Sequence, residues 1–133
     1  MDASNVADEL AIRRTLAAYC QHCDDGMFDS LAALFSAGGT FTYLGEVVAG
    51  SAALTAWFVA AQPPARRGKH VTVNAVIDIS GDRATARSDF VFLRFVNGSL
   101  VPLTAGRYVD ELVRQDGRWL IERRVVEDMR PPG

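Results

Sequence analysis

Apolar positions in the first part of the chain recur at spacings of three and four, and later positions alternate. Val6, Leu10, Ile12 or Arg13, Leu16, Tyr19, Cys20 and Cys23 make one stripe, the pattern of an amphipathic helix. Ser4 or Asn5 is suited to cap its start, and Asp25-Gly26 to end it. A short helix is predicted over residues 28–35. Gly38-Gly39 breaks the chain, and residues 40–43 and 46–49 read as a hairpin across Leu44-Gly45. Ser51 is expected to cap a third helix over residues 52–62, which Pro63-Pro64 stops.

From residue 69 the period is two. Residues 69–79, 83–96, 100–114 and 118–126 are predicted strands, separated by Ser80-Gly81-Asp82, Asn97-Gly98 and Gln115-Asp116-Gly117. The third of these is expected to bend near Pro102 or Gly106. Helices first, a small hairpin between them, then a four-strand antiparallel meander predict an α+β domain. Its curved antiparallel sheet would carry the N-terminal helices on one face, a cone whose open mouth encloses a pocket.

Composition narrows the function classes. At 133 residues, 49% hydrophobic and 23% charged, the chain reads as one soluble domain spanning 1–133. A net charge of −2 provides no basic field for nucleic acid. No run approaches the roughly 18 apolar residues of a membrane span, and the N-terminus lacks the charge-then-apolar order of a secretory signal. A cytoplasmic location is expected, with both cysteines as thiols.

The stretch YCQHCDDG, residues 19–26, gathers both cysteines and one of the two histidines. Two cysteines and two histidines in the whole chain are a poor basis for a zinc site, so no metal is expected. Near a helix C-terminus the dipole opposes a thiolate, which argues against a redox pair. Cys20 and Cys23 are read as small apolar groups facing the core, and His22 as a solvated surface residue. Asp24 is the unusual member. A carboxylate ending an apolar stripe either faces water or points inward to a partner, because unpaired burial is costly. Asp25 suits the solvated turn.

Strict alternation puts His70, Thr72, Asn74 and Val76 on one strand face and Val71, Val73, Ala75, Ile77 and Ile79 on the other. The polar cluster is either a wet outer face or a pocket lining. Tyr108 and Asp110 share a face of the next-to-last strand, and the last strand brings Arg123 or Arg124 inward, depending on register.

With these residues in view, the chain resembles the SnoaL-like, scytalone-dehydratase-like branch of the nuclear transport factor 2-like superfamily, a cystatin-like fold. The resemblance is carried by LAIRRTLAAYCQHCDDGMFDSLAALF, KHVTVNAVID and GRYVDELVRQDGRWLIERRVV. It implies a catalytic dyad of Asp24 and His70, a tyrosine at Tyr19 and an arginine at Arg124. It also implies a pocket-lining aromatic at Tyr108 and a homo-oligomer, most simply a dimer, with a trimer the alternative. The second strand histidine of scytalone dehydratase has no counterpart here.

The chemistry this implies needs no cofactor. Asp24 would fix the tautomer of His70, whose other nitrogen takes a proton from a carbon acid. Tyr19 or Arg124 would stabilise an enolate oxygen or a leaving group. No phosphate- or dinucleotide-binding glycine pattern is present. Tyr43, Trp57, Asn74, Phe92, Tyr108 and Asp110 are the candidate substrate-binding residues. A small apolar or aromatic, ring-containing substrate, polyketide- or steroid-like, is expected to lose a β-leaving group. The same base would also serve an isomerase or polyketide cyclase, and a non-catalytic binding or assembly domain is the remaining alternative.

Overall fold

The computed structural model describes residues 3–132. Its elements are α1 (Ala3–Asp24), α2 (Phe28–Ala32), β1 (Phe35–Tyr43), β2 (Glu46–Ala49), α3 (Ser51–Ala61), β3 (Lys69–Ser80), β4 (Arg83–Val96), β5 (Ser99–Gln115) and β6 (Arg118–Asp128), with a turn of 3-10 helix at Pro64–Arg66 before β3.

The stripe on α1 is buried from Ile12 onward. Ile12, Leu16, Tyr19, Cys20 and Cys23 belong to the core, while Val6 and Leu10 are exposed, so the first two turns meet the sheet through Asp8, which accepts from Arg114 and Trp119, rather than through an apolar face. Register on this face is Ile12, with Arg13 outside. Thr15 joins the buried face, which the apolar pattern does not reveal. Its hydroxyl donates to the Ala11 carbonyl and to the Trp119 carbonyl on β6, at 2.9 Å for the latter. Ser4 and Asn5 fall inside α1 rather than ahead of it, and any cap made by the Ser4 side chain lies outside the described residues. The other end closes on Gly26 at φ +72°. The Gly26 N–H reaches the Cys23 carbonyl and the Met27 N–H the His22 carbonyl, a glycine-dependent helix stop. That stop makes Asp24 the last residue of the helix.

Shorter elements differ from expectation in detail. The second helix ends at Ala32 because the chain enters β1 at Phe35, and Gly38-Gly39 lie inside that strand, where the register shifts, rather than breaking the chain ahead of it. Gly50, not Ser51, precedes the first turn of α3, at φ +87° and with no side-chain cap. The hairpin of β1 and β2 turns on Leu44 and Gly45, both at positive φ, as a two-residue turn requires.

One six-stranded sheet runs β2-β1-β6-β5-β4-β3. The four long strands form the expected antiparallel meander. The sheet as a whole is mixed, because β1 lies parallel to β6. That pairing joins the hairpin to the last strand and extends the curved wall around the helices. The helices lie on the concave face, where a single apolar core gathers α1, α2, α3 and the inward side chains of the sheet.

Three strand irregularities decide which residues face inward. Register slips between Val73 and Val76 on β3, where Asn74 adopts φ +56°. The bulge shifts the alternation by one. His70 and Thr72 stay inward, but Ala75, Ile77 and Ile79 now share their side, and Val76 is exposed. The uniform apolar face expected from strict alternation does not exist, and Asn74 does not share the face of His70. On β5 the bulge falls at Leu103, since Phe92 pairs with Thr104 and Leu93 with Pro102. On β6 Glu122 is left over between Ile121 and Arg123. It brings Arg124 inward and puts Arg123 outside, which settles the choice between them.

The Asn74 bulge is testable. Asn74→Val places a β-branched residue at positive φ and should lose about 1–2 kcal/mol in urea unfolding. Asn74→Gly removes the steric penalty and should lose clearly less. Equal loss in both would show that the positive φ is not what constrains this position.

Candidate active site

The last residue of α1 and the second residue of β3 meet at the rim of the concave face. Asp24 Oδ1 lies 2.6 Å from His70 Nδ1, and the two side chains are 5% and 11% exposed. The His70 backbone N–H also donates to both carboxylate oxygens of Asp24, at 3.1 and 3.0 Å. β3 is an edge strand, so Asp24 satisfies a main-chain donor that no neighbouring strand takes. One carboxylate therefore fixes both the backbone and the ring of the same residue. Facing a carboxylate, which only accepts when ionised, Nδ1 is placed as the ring's donor, and in a neutral ring Nε2, on the far side, would keep a lone pair.

His70 lines a cavity of about 290 Å³. Its walls are largely aromatic and include Tyr19, Phe41, Tyr43, Trp57, Phe58, Phe90, Phe92 and Tyr108, with Gln62 and Arg66 from the segment after α3. The His70 ring lies against Phe92, 4.5 Å between centroids. A larger groove of about 480 Å³ runs over the outside of the sheet, past Val73, Asn74, Asp89 and Arg107. Its Asp89 and Arg107 are paired with each other at 2.7 Å and no histidine lines it, so the chemistry of the inner cavity outweighs the greater size of the outer one.

Beneath the cavity lies an ion pair sealed from solvent. Arg124 is 0% exposed and Asp110 1%. Nε and Nη2 of Arg124 donate to the two oxygens of Asp110 at 2.7 and 2.8 Å. The guanidinium carbon sits 3.9 Å from the Tyr108 ring centre and 4.2 Å from that of Tyr19, a desolvated cation–π stack. Burial pushes the guanidinium pKa down, but the Asp110 charge and hydrogen bonds outweigh it and hold the group above its ordinary value. Burial likewise holds the Tyr19 and Tyr108 hydroxyls well above the usual phenol range, against the opposing pull of Arg124. Both tyrosines are neutral O–H donors at physiological pH.

The expected site residues thus separate into groups. Tyr19, Tyr43, Trp57, His70, Phe92 and Tyr108 line the cavity, and Asp24 stands behind His70. Arg124 and Asp110 do not reach the wall. The tyrosine rings lie over the guanidinium, and Asp110 is spent on Arg124. Asp110 is therefore committed to Arg124 and does not line the cavity, and Arg124 is separated from it by the tyrosine rings. Asn74 lies on the outer groove because of the bulge. Cys20 and Cys23 are buried. The Cys20 sulfur contacts the Thr72 hydroxyl at 2.8 Å, and burial pushes the Cys23 thiol up to about 12, which suppresses thiolate chemistry. His22 is half-buried rather than fully solvated. Among the described residues no three His, Cys, Asp or Glu side chains gather as a metal site, and no helix is long and apolar enough to cross a membrane.

A family model for the SnoaL-like domain matches residues 4–125. The chain belongs to the SnoaL-like family. Solved structures with this fold agree. A protein of unknown function from Mycobacterium tuberculosis is 30% identical, covering 96% of this chain and 75% of its own, with a TM-score of 0.91. A candidate scytalone dehydratase from Novosphingobium aromaticivorans is 26% identical over 98% of this chain and 89% of its own, TM-score 0.85. A nuclear transport factor 2-like protein with a cystatin-like fold from the same organism is 25% identical, over 94% and 88%, TM-score 0.82. None of the curated proteins compared matches the chain.

Some SnoaL-like wall residues carried no recognised signal. Gln62 and Arg66 sit in an irregular segment whose direction no periodicity gives. Asp128 was within reach, because it continues the inward alternation of Arg124 and Val126 past the end of the expected strand.

The buried pair sets an energetic expectation. Asp110→Ala leaves a sealed guanidinium without its counter-charge and should cost about 3–5 kcal/mol by urea denaturation. Glu111→Ala, which removes the exposed partner of Arg123, should cost less than about 1 kcal/mol. Similar losses in the two would mean that Arg124 finds another partner.

Proposed function

We propose that this one-domain SnoaL-like protein is a cofactor-independent lyase, a dehydratase acting on an apolar, ring-containing substrate of polyketide or steroid type. The carrying observation is the 2.6 Å contact between Asp24 and His70 Nδ1 beside an aromatic-walled cavity. In this reading Nε2 of His70 removes a proton from carbon next to a carbonyl, and the electron pair moves onto the carbonyl oxygen. Tyr19 and Tyr108 donate to that oxygen, with the charge of Arg124 behind them. As the enolate collapses, the β-hydroxyl leaves, takes the proton back from His70 and departs as water. A carbon–carbon double bond remains. Asp24 stabilises the transient imidazolium.

The similarity to a candidate scytalone dehydratase supports this reaction class. A Catenulispora acidiphila protein of the same fold is known in complex with S-DNPA, which supports small-molecule binding in such a cavity. Isomerase or cyclase chemistry would use the same base and differ in retaining the water. A non-catalytic binding domain is favoured by one observation. The bonds from the His70 N–H to Asp24 have structural value without any turnover.

The decisive experiment is turnover of hydroxylated polycyclic ketones by wild type, His70→Ala and Asp24→Asn, with products read by mass spectrometry. Loss of 18 mass units, about that of one water, and a fall of about 10²–10⁴-fold in both variants with folding retained is expected. Unchanged turnover in both variants overturns the reading, and conversion without water loss moves it to isomerase or cyclase.

We also propose a cytoplasmic homo-oligomer, most simply a dimer, formed through the outer sheet face. Val71, Val73, Phe95, Leu100 and Leu103 are exposed apolar residues of the long strands, a density that a lone subunit seldom leaves in water. Light scattering at micromolar concentration should give at least twice the 14.4 kDa chain mass. A monomer mass would refute it.

A further inference from the structure

Two polar groups of the cavity wall, Tyr43 and Asp128, take no part in the chemistry above. The Tyr43 hydroxyl donates to Asp128 Oδ2 at 2.9 Å. Tyr43 is thereby committed as a donor. Burial and then the adjacent carboxylate push its own pKa up to about 12. The second oxygen, Asp128 Oδ1, is buried and has no hydrogen-bond partner. Both residues line the same cavity as His70. A carboxylate is an acceptor with room for several donors, and leaving one of its oxygens sealed and unmatched is unfavourable. Oδ1 is closed off from the cavity as it stands, and a turn of the carboxylate about its Cβ–Cγ bond would let it meet a group that brings a hydrogen.

Sheet topology separates this pair from His70. His70 lies on β3, Asp128 on β6 and Tyr43 on β1, so three strand spacings lie between β3 and β6. The register runs from His70 to Phe92 and from Phe92 to Thr104, and Asp128 stands opposite Gly106, two residues further along β5. Three spacings measure about 14 Å along a flat sheet, and curvature shortens the span across the cavity. A molecule of two or three fused rings bridges such a distance. The wall between is aromatic, suited to a flat apolar body. Arg66 lines the same cavity, and its charge disfavours a cationic group there.

We propose that Asp128, held by Tyr43, anchors a hydroxyl group of the substrate at the end remote from His70. The substrate class is then a flat polycyclic compound with a carbon acid at one end and a neutral hydrogen-bond donor, a phenol or alcohol, at the other. This rests on the cavity being the substrate site and on no step of the reaction. It extends the proposed function by naming the group that orients the substrate.

The test compares two probes of nearly equal shape, 2-naphthol and 2-fluoronaphthalene, by fluorescence titration. Wild type is expected to bind the naphthol about tenfold or more tightly than the fluoro compound, the ratio of a hydrogen bond to a charged acceptor. Asp128→Ala should bring that ratio to within about twofold. His70→Ala should leave it intact. Asp128→Asn, which keeps the shape and a weaker acceptor, should give an intermediate ratio and serves as the deciding variant if Asp128→Ala does not fold by circular dichroism. No preference in wild type, or a preference removed by His70→Ala and untouched at Asp128, overturns the proposal. A protein that shows the Asp128-dependent preference but turns nothing over loses the lyase reading and keeps this one. Turnover without the preference does the reverse.

Discussion

The buried Arg124–Asp110 pair is the interaction on which the geometry of the site depends. Asp110 and Arg124 are direct partners across β5 and β6, so the bidentate contact locks the two central strands in register beneath the cavity. Sealing two charges is unfavourable by several kcal/mol per ion, offset only by close geometry and by further contacts. The stacked rings of Tyr19 and Tyr108 provide those contacts. Tyr19 belongs to α1, so the cation also ties the helix to the sheet. Asp24 follows Tyr19 by five residues, about 7.5 Å along the same helix axis. The depth at which Arg124 holds Tyr19 therefore sets where Asp24 emerges. From there the carboxylate reaches the His70 N–H and Nδ1 together.

The same result needs the strands to present the right faces, and single extra residues decide this. Without the leftover Glu122, alternation from Trp119 and Ile121 would carry Arg123 inward and Arg124 out. Without the bulge at Asn74, the half of β3 beyond it would turn Ile77 and Ile79 toward water. Each insertion reverses every side chain on one side of it. The polar start of β3 and its apolar remainder can share the concave face only because the reversal falls between them. The strand serves the cavity at one end and the core at the other.

Much of this was legible locally. The extents of α1, α3 and the four long strands, the Asp25-Gly26 stop and the turns at Leu44-Gly45 and Asn97-Gly98 follow from short-range backbone preferences, and those positions behave accordingly. What was not legible is non-local. The parallel pairing of β1 with β6 joins segments far apart in the chain and has no pattern of its own. The bulge at Leu103 falls beside Pro102, where a bend was expected, but the one at Glu122 lacks a glycine or proline to mark it, and Asn74 reads as any polar strand residue. The site divides in the same way. The residues alone left the polar cluster around His70 as either a wet face or a lining, and the pairing with Asp24 came from family resemblance. Asp110 looked like a ligand contact because its partner across the sheet depends on the very register that Glu122 shifts. Thr15 was invisible because its role is to meet a β6 carbonyl.

The charge arrangement under the cavity bears on why a cation is buried at all. A bare guanidinium on the wall would bind any anion and would stabilise reactant and intermediate carboxylates or enolates alike, which does not accelerate a reaction. Arg124 is instead compensated by Asp110 and screened from the cavity by two neutral phenols. The floor carries no net charge when the substrate is neutral. In the proposed reaction the Tyr19 and Tyr108 hydroxyls would meet the negative charge that develops on a substrate oxygen, and the cation beneath their rings would make them better donors in a medium of low dielectric. Such stabilisation grows with the charge rather than preceding it, the preorganised form that favours a transition state over a ground state. The sealed pair that fixes the helix on the sheet is therefore also suited to respond to an enolate. If the proposed reaction holds, a structural and an electrostatic role fall on one residue, one layer below the wall.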